Sequence, residues 1–268
     1  MPQHISGSIY DYPNLYDVLF SDLCHSEINF LVSFLQRVGG KNDAVAVLEP
    51  ASGSGRLLYH LAKLGYDVAG LDLNPRSIAF CNRRLKQHGL KESAIVGNMV
   101  SFSLADFGRR KKFDVAFNFV SSFLHLTTEE DSQQHLQTMA NILKPGGFYL
   151  LGIHLKPKGR QLCAQESWSV RRGSLTVKSH LKPLSQDKKK QIEMLEFRIE
   201  AETPKKRYNI VDRFPFRMYT AKQFNDLLAS VDRFDILETY SFDYDISYPI
   251  KIEADTEDVV YVLRNREH

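Results

Sequence analysis

The sequence predicts an α/β protein built on a mostly parallel sheet, with an antiparallel meander inserted into it. Three observations lead there. Near-continuous apolar strands alternate with helical segments from Ala44 to about His154, two glycines sit at the first strand-to-helix turn, and the apolar period changes to two between about Gln165 and Tyr219. Parallel strands are buried on both faces and need helices above and below, which places ligands at the carboxyl ends of the strands.

The elements follow in order. After a polar arm bearing Tyr10, Tyr12 and Tyr16, the segment EINFLVSFLQRV puts Ile28, Leu31, Val32 and Leu35 at helical spacing and closes at Gly39-Gly40, so one amphipathic helix precedes the first strand; Tyr16 opens a helical turn of its own. Strand AVAVLEP, a helix from about Arg56 to Leu64, strand DVAGLDL, a helix from about Arg76 to His88 and strand SAIVGNM come next. Strand FDVAFNFV, helix EEDSQQHLQTMANIL, a KPGG turn and strand FYLLGIHL complete the alternation. The period-two segments SLTVKSHL, KKQIEMLEFRIEAE and KRYNIVDRFPFRMY form the meander, helical spacing returns in TAKQFNDLLASV, and FDILETYSF and DVVYVLRN are joined too closely for a helical crossover, so that last pair is antiparallel. The expected organisation is an arm with lid helices over 1–43, an α/β core over 44–164, the meander over 165–219, and the remainder of the core over 220–268.

Composition narrows the class. The chain has 268 residues, 43% hydrophobic and 25% charged, the balance of a globular protein with one large core. The net charge of +3 lies mainly in RRKK, KKK and KKR, which read as solvated turns; a nucleic-acid partner would call for a broader basic face with interleaved aromatics and is not expected. Cys24, Cys81 and Cys163 have no CxxC spacing, which indicates neither a disulfide framework nor a zinc cluster and fits a reducing cytoplasm. No stretch approaches the roughly 18 apolar residues of a membrane span, and the start lacks a basic region followed by an apolar run, so export and membrane embedding are not expected.

The stretch VLEPASGSGRLLYHLAKLGYDVAGLDLNP carries the chemistry. Gly53 and Gly55 let the backbone turn sharply and let a ligand approach main-chain N–H groups at a helix start. Asp72 ends the second strand seventeen residues past Gly55, close to the spacing at which a carboxylate accepts from ribose hydroxyls. Leu58 stands where a dinucleotide motif has its third glycine, and Glu49 puts a second carboxylate where a pyrophosphate would lie. A nucleoside with a cationic tail suits that pair, and S-adenosylmethionine has both parts.

LEPASGSG, LDLNP, GNM, FDVAFNFVSSFLHL and LKPGGFYLL, in that order and spacing, resemble the successive motifs of the class I S-adenosylmethionine-dependent methyltransferases. The likeness covers about Tyr10 to His154 and resumes in RMYTAKQFNDLLAS and the final strand pair. It implies a Rossmann-like, seven-stranded sheet whose last strand is antiparallel, and S-adenosyl-L-methionine as cofactor. It implies further that Glu49 faces the ammonium of the methionyl group, that Ala51, Gly53 and Gly55 line it by backbone, and that Asp72 holds the ribose. Leu73 packs against the adenine in this reading, Asn98 (where the family often has aspartate) bonds its exocyclic amine, and Met99 covers its face. Asn118, Phe119 and Val120 pass beneath the sulfonium.

Methyl transfer from a sulfonium is an in-line displacement in which the protein's task is mainly positioning, with no covalent intermediate required. An amine acceptor has only to lose an ammonium proton, whereas a hydroxyl needs a stronger base or a metal. His125, just past the fourth core strand, and His154, ending the fifth, are candidate proton acceptors; backbone bonding is the plainer reading for both. The resemblance implies an N-terminal aromatic lid over the sulfonium, for which Tyr16 is the choice among the three arm tyrosines. RFPFRMYTAKQFNDLL resembles the corresponding stretch of small-molecule N-methyltransferases, including those acting on amino sugars; it offers Arg217 and Tyr219 to a substrate and makes a homodimer through the meander an expectation. A DPPY-type signature and a carboxylate cluster past the fourth strand are both missing, and Glu129, Glu130 and Asp131 fit a helix start; no metal site is expected. The expected function is therefore methyl transfer to an amine, or else a hydroxyl, of a small metabolite. An RNA or protein methyltransferase and a binding module without turnover stand as alternatives.

Overall fold

The computed structural model describes residues 3–21, 24–39, 45–157 and 165–266. Ala44 and Cys163, the domain boundaries expected at 43/44 and 164, and Gly40 of the helix-closing glycine pair lie outside the described residues. In chain order the elements are β1 (Gln3–Ser6), α1 (Pro13–Leu19), α2 (Cys24–Val38), β2 (Ala46–Pro50), α3 (Arg56–Lys63), β3 (Asp67–Asp72), α4 (Pro75–Gln87), β4 (Ala94–Val96) and β5 (Phe113–Asn118). They continue with α5 (Glu129–Ile142), β6 (Leu143–His154), β7 (Glu166–Arg172), β8 (Leu175–Asp187), β9 (Ile192–Glu202), β10 (Arg207–Arg217), α6 (Ala221–Val231), β11 (Phe234–Tyr240) and β12 (Asp258–Asn265).

Seven strands form the main sheet in the order β11-β12-β6-β5-β2-β3-β4. β2, β3, β4, β5 and β6 are parallel, and β12 inserts antiparallel between β6 and β11. From β2 the chain steps outward to β3 and β4, then returns to lay β5 on the other side. The reversal opens a crevice at the carboxyl ends of β2 and β5.

Helix boundaries follow local chemistry. Asn74 accepts from the amides of Arg76 and Ser77 and Pro75 fixes the first turn of α4, so the cap of that helix is Asn74 rather than Asp72. Thr128 caps α5 ahead of Glu129, Glu130 and Asp131, and a Thr220–Gln223 capping box starts α6. α5 and α6 cover one face of the sheet with Leu136, Met139, Phe224 and Leu228. On the other face α2, α3 and α4 contribute Phe30, Phe34, Leu58 and Cys81. Among the described residues no single helix is long and apolar enough to cross a membrane.

A second sheet, ordered β1-β10-β9-β8-β7, stands over the carboxyl edge of the first. It departs from the sequence reading in two ways. The meander has four strands rather than three, because β7 pairs with β8 along its whole length, and the arm supplies a fifth strand, β1, parallel to β10. The arm also folds into the short helix α1 in addition to α2; Ile9, Leu15, Val18 and Leu19 pack against Val177, Phe197, Ile199 and Ile210 on the inner face of the meander. The outer face carries Glu196 amid Lys182, Arg198 and Arg213. Of the basic turns, Arg109 is structural, bonded to Asp67 at 2.7 Å and stacked over Phe113.

Candidate functional site

A cleft of about 630 Å³ opens at the carboxyl ends of β2, β3 and β5 and is roofed by the arm. Tyr16, Glu49, Ala51, Gly53, Asp72, Leu73, Asn98, Met99, Asn118, Phe119, Val120 and His125 all line it.

Its floor is the turn from β2 into α3. Ala51, Gly53 and Gly55 all have positive φ, at 55°, 53° and 66°, and Gly55 begins α3 in the left-handed region. That curls the chain so that the Gly53 amide donates to Asp72 Oδ2 at 2.8 Å, while the Asn74 amide donates to Asp72 Oδ1 at 2.8 Å. Asp72 thus joins the two turns that the sequence places nineteen residues apart. Burial raises its pKa above the ordinary carboxylate value, partly offset by the two amides. One lone pair per oxygen is spent on the backbone, which leaves others for ribose hydroxyls.

Glu49, at the tip of β2, is only 7% exposed, and its Oε2 has no hydrogen-bond partner among the described residues. Burial drives its pKa well above the usual range; Arg56 pulls the other way and Glu27 adds to the rise. On β5, Asn118 donates Nδ2 to the carbonyl of Pro50 at 3.0 Å, and its buried Oδ1 is likewise without a partner. Leaving a buried acceptor unmet costs about 1 to 3 kcal/mol. Two such acceptors at adjacent strand tips call for one ligand group rich in donors and positive charge. The residues present therefore fit the ammonium end of S-adenosylmethionine.

Arg56, the first residue of α3, also lines the cleft and is held by a two-pronged ion pair with the buried Glu27, one arm at 2.7 Å. The sequence reading treated it only as a helix start. Its signal was there, since the first side chain after a glycine turn at a helix N-terminus projects beside the bound ligand.

Just past the end of β5, Val120 and Ser121 both adopt left-handed backbone, at φ 56° and 60°. For a β-branched residue this is a true outlier, and such strain gathers at functional sites. Next to it, Tyr10 OH meets His125 Nε2 at 2.8 Å, and the His125 ring packs on Phe214 and Phe216 at 5.1 and 4.7 Å. Burial lowers the His125 pKa to about 4, with Asp212 opposing, so the imidazole is neutral at physiological pH. Burial raises Tyr16 to about 12 and Tyr10 well above its ordinary value, which keeps both as hydroxyls. The tyrosine that touches His125 is thus Tyr10; Tyr16 lies beside it at 5.7 Å. Tyr12 packs with the meander cluster.

Four expected residues are not brought to the cleft wall. Gly55 sits behind it, where a β-carbon would overlap Cys81 Sγ. His154 faces away because β6 sets it opposite Asp258 of β12; Nδ1 lies 2.8 Å from that carboxylate, and although burial opposes charge, the bond to Asp258 raises its pKa. Arg217 is turned to the carbonyl of Thr127 and to Glu129, at 3.4 and 3.3 Å. Tyr219, 2% exposed, is bonded to Ser132 Oγ at 3.0 Å beneath α5. For Asn98, Oδ1 accepts from the Val100 amide at 2.9 Å, so its loop is braced by the group assigned to adenine, while Met99 is tied down by His135, whose Nδ1 lies 2.8 Å from its carbonyl. Leu73 is 72% exposed, an apolar side chain left open where a flat base would stack.

Residues 47–147 match the family model described as a methyltransferase domain. The match is to a segment, and the chain as a whole shares the fold of an S-adenosylmethionine-dependent methyltransferase from Clostridium acetobutylicum, with a TM-score of 0.75 over 96% of this chain and 98% of that one at 15% identity. DesVI of Streptomyces venezuelae superposes with a TM-score of 0.75 over 96% of this chain and 98% of its own, at 17% identity. The S-adenosylmethionine-bound CalS10 of Micromonospora echinaspora, an amino pentose methyltransferase, gives 0.66 over 90% and 91%, at 18% identity. In sequence, the dTDP-3-amino-3,4,6-trideoxy-alpha-D-glucopyranose N,N-dimethyltransferase of Streptomyces venezuelae is 30% identical over 105 residues, 39% of this chain and 40% of that protein. The matches span 40% to 54% of the length of the curated relatives.

Proposed function

We propose that the chain is an S-adenosylmethionine-dependent methyltransferase whose acceptor is an amine of a small metabolite. The observation that carries this reading is the pair of buried, unmet acceptors, Glu49 Oε2 and Asn118 Oδ1, one strand away from Asp72, whose oxygens are braced by Gly53 and Asn74. Glu49 and Asn118 would hold the donor's ammonium, Arg56 its carboxylate and Asp72 its ribose, with Leu73 and Met99 enclosing the adenine. When bound, the donor supplies an electrophilic methyl group on a sulfonium.

The chain's own residues orient the reaction and manage one proton. Val120 and Phe119 form the wall beneath the sulfonium, and the arm tyrosines exclude water above it. A buried imidazole with a pKa near 4 is too weak a base to generate an alkoxide. An amine needs only its neutral form, and entry into an aromatic cleft lowers the pKa of its own ammonium. Tyr10 and His125 stand where that proton would be received. The amino-sugar methyltransferases among the similar structures and sequences support an amine acceptor of small size.

Incubation with methyl-labelled donor and a cell lysate, followed by separation of small molecules, RNA and protein, tests the reading. Label in the small-molecule fraction is expected; label in RNA or protein, or donor binding with no product, would replace it with one of the alternatives. By calorimetry, Asp72→Ala should weaken donor affinity at least tenfold, the worth of about 1.4 kcal/mol.

A further inference from the structure

β10 reaches the cleft through its contact with His125, a residue of the cleft wall, and alternate residues of a strand face the same way. On its inner face Asp212 precedes Phe214 and Phe216, the two rings that enclose His125. Asp212 Oδ2 accepts the amide of Ile9 at 3.0 Å, and the next residue is Tyr10, whose hydroxyl lies on His125 Nε2 at 2.8 Å. One carboxylate therefore sits beside both members of the pair and fastens the backbone that presents one of them. The parallel pairing of β1 with β10, Ser6 opposite Val211, brings the arm to this point. Of the groups around His125, the arm offers the neutral hydroxyl of Tyr10, backed by Tyr16, β10 offers two aromatic rings, and Asp212 is the charged member.

We propose that Asp212 is a positioning residue for methyl transfer: it holds Tyr10 on His125 through the Ile9 amide and supplies the negative charge that balances a proton arriving on His125. The proposal rests on the reading of the cleft as a methyltransferase site. In that reaction the acceptor ammonium first gives its proton to His125, directly or by way of the Tyr10 hydroxyl. The neutral nitrogen then forms its bond to the methyl carbon as the carbon–sulfur bond breaks, sulfur keeping the electron pair, and His125 returns its proton to water. A neutral imidazole buried among aromatic rings would resist that proton without a nearby anion. The direction in which Asp212 moves the His125 pKa, upward against burial, agrees.

Asp212→Asn and Asp212→Ala separate the two parts of the role. Asparagine keeps an acceptor oxygen for the Ile9 amide and removes the charge; alanine removes both. Neither measurement needs the acceptor: NMR titration of the His125 ring, and hydrogen exchange at the Ile9 amide. The titration point of His125 should fall by about one pH unit in both variants, the effect of a unit charge at close range in a partly buried site. Exchange at Ile9 should quicken about tenfold in the alanine variant alone, matching loss of one hydrogen bond. An unchanged His125 titration in Asp212→Asn would overturn the electrostatic role, and unchanged exchange in Asp212→Ala would overturn the latch; should the alanine variant fail to fold, unchanged exchange in Asp212→Val, which also lacks an acceptor, would overturn it instead. Donor binding by the wild type, measured alongside, tests the parent reading separately, because the coupling of Asp212 to His125 is present with or without a donor.

Discussion

Gly55 rests against Cys81 so closely that a β-carbon on the glycine would overlap the thiol sulfur. Gly55 caps the start of α3 and Cys81 lies in α4, so their contact packs the glycine turn against that second helix. Gly55 also has φ +66°, which a side chain adopts only under strain. Gly55→Ala should therefore lower stability in urea unfolding by about 2 to 4 kcal/mol, from backbone strain and overpacking together. Adding Cys81→Ala should return the packing part, about 1 to 3 kcal/mol, and leave the backbone part in place.

Glu49 offers a test of the donor's cationic end. Its pKa is raised well above the ordinary value in the free protein, so it carries a proton over part of the range where carboxylates are usually ionised. An arriving ammonium favours the ionised form and expels that proton. Affinity for S-adenosylmethionine should therefore rise with pH up to the raised pKa, and binding should release protons, read as a dependence of calorimetric enthalpy on the buffer. Glu49→Gln should weaken binding about 10- to 100-fold, the worth of a charge-assisted bond, and abolish the proton release. Equal affinity in the variant would contradict the assignment.

Two histidines outside the reacting centre should act on stability with opposite sign. His135 is fully buried between the carbonyl of Met99 and the hydroxyl of Tyr149, and burial lowers its pKa to about 4. The unfolded chain takes up that proton below about pH 6.5 and the folded chain only near 4, so stability falls as acid is added across that window, by about 3 kcal/mol in all. His154 is the reverse case, raised by its bond to Asp258 despite burial. Its contribution is complete below the ordinary histidine value and fades as pH climbs through the raised one. Comparing unfolding free energies of His135→Gln and His154→Gln across pH 4 to 9 separates them: the first should lose acid sensitivity, the second the decline on the alkaline side.

That Gly53 and Asp72 come together at one cleft was legible in the sequence because local motifs build that part of it. The turn holding Gly53 and Gly55, and Asp72 at the end of the next strand, are adjacent elements whose distance in space follows from strand length and a single crossover. The surroundings of His125 are not local. Tyr10 is brought near His125 by an arm whose β1 joins β10 about two hundred residues away, a parallel pairing that no periodicity in a short polar segment announces. The same gap explains Arg217 and Tyr219. Period two says that alternate residues share a face, yet the strand ends at Arg217, and the chain beyond it bridges Leu155 and buries Tyr219 under α5. His154 was misdirected for a related reason, since the partner that captures it comes from β12, a strand whose register the sequence leaves open. Arg56 was visible but was read as a helix start.

The position of β12 has a consequence for how the main sheet is assembled. Because Asp258–Asn265 stands between β6 and β11 in the sheet, both of those strands present bare hydrogen-bonding edges until the late segment arrives to fill the gap. A chain interrupted ahead of Asp258 would not be a smaller version of this domain. It would leave the β6 margin of the sheet open and β11 without its neighbour, ready to recruit strands from other molecules and to precipitate with them.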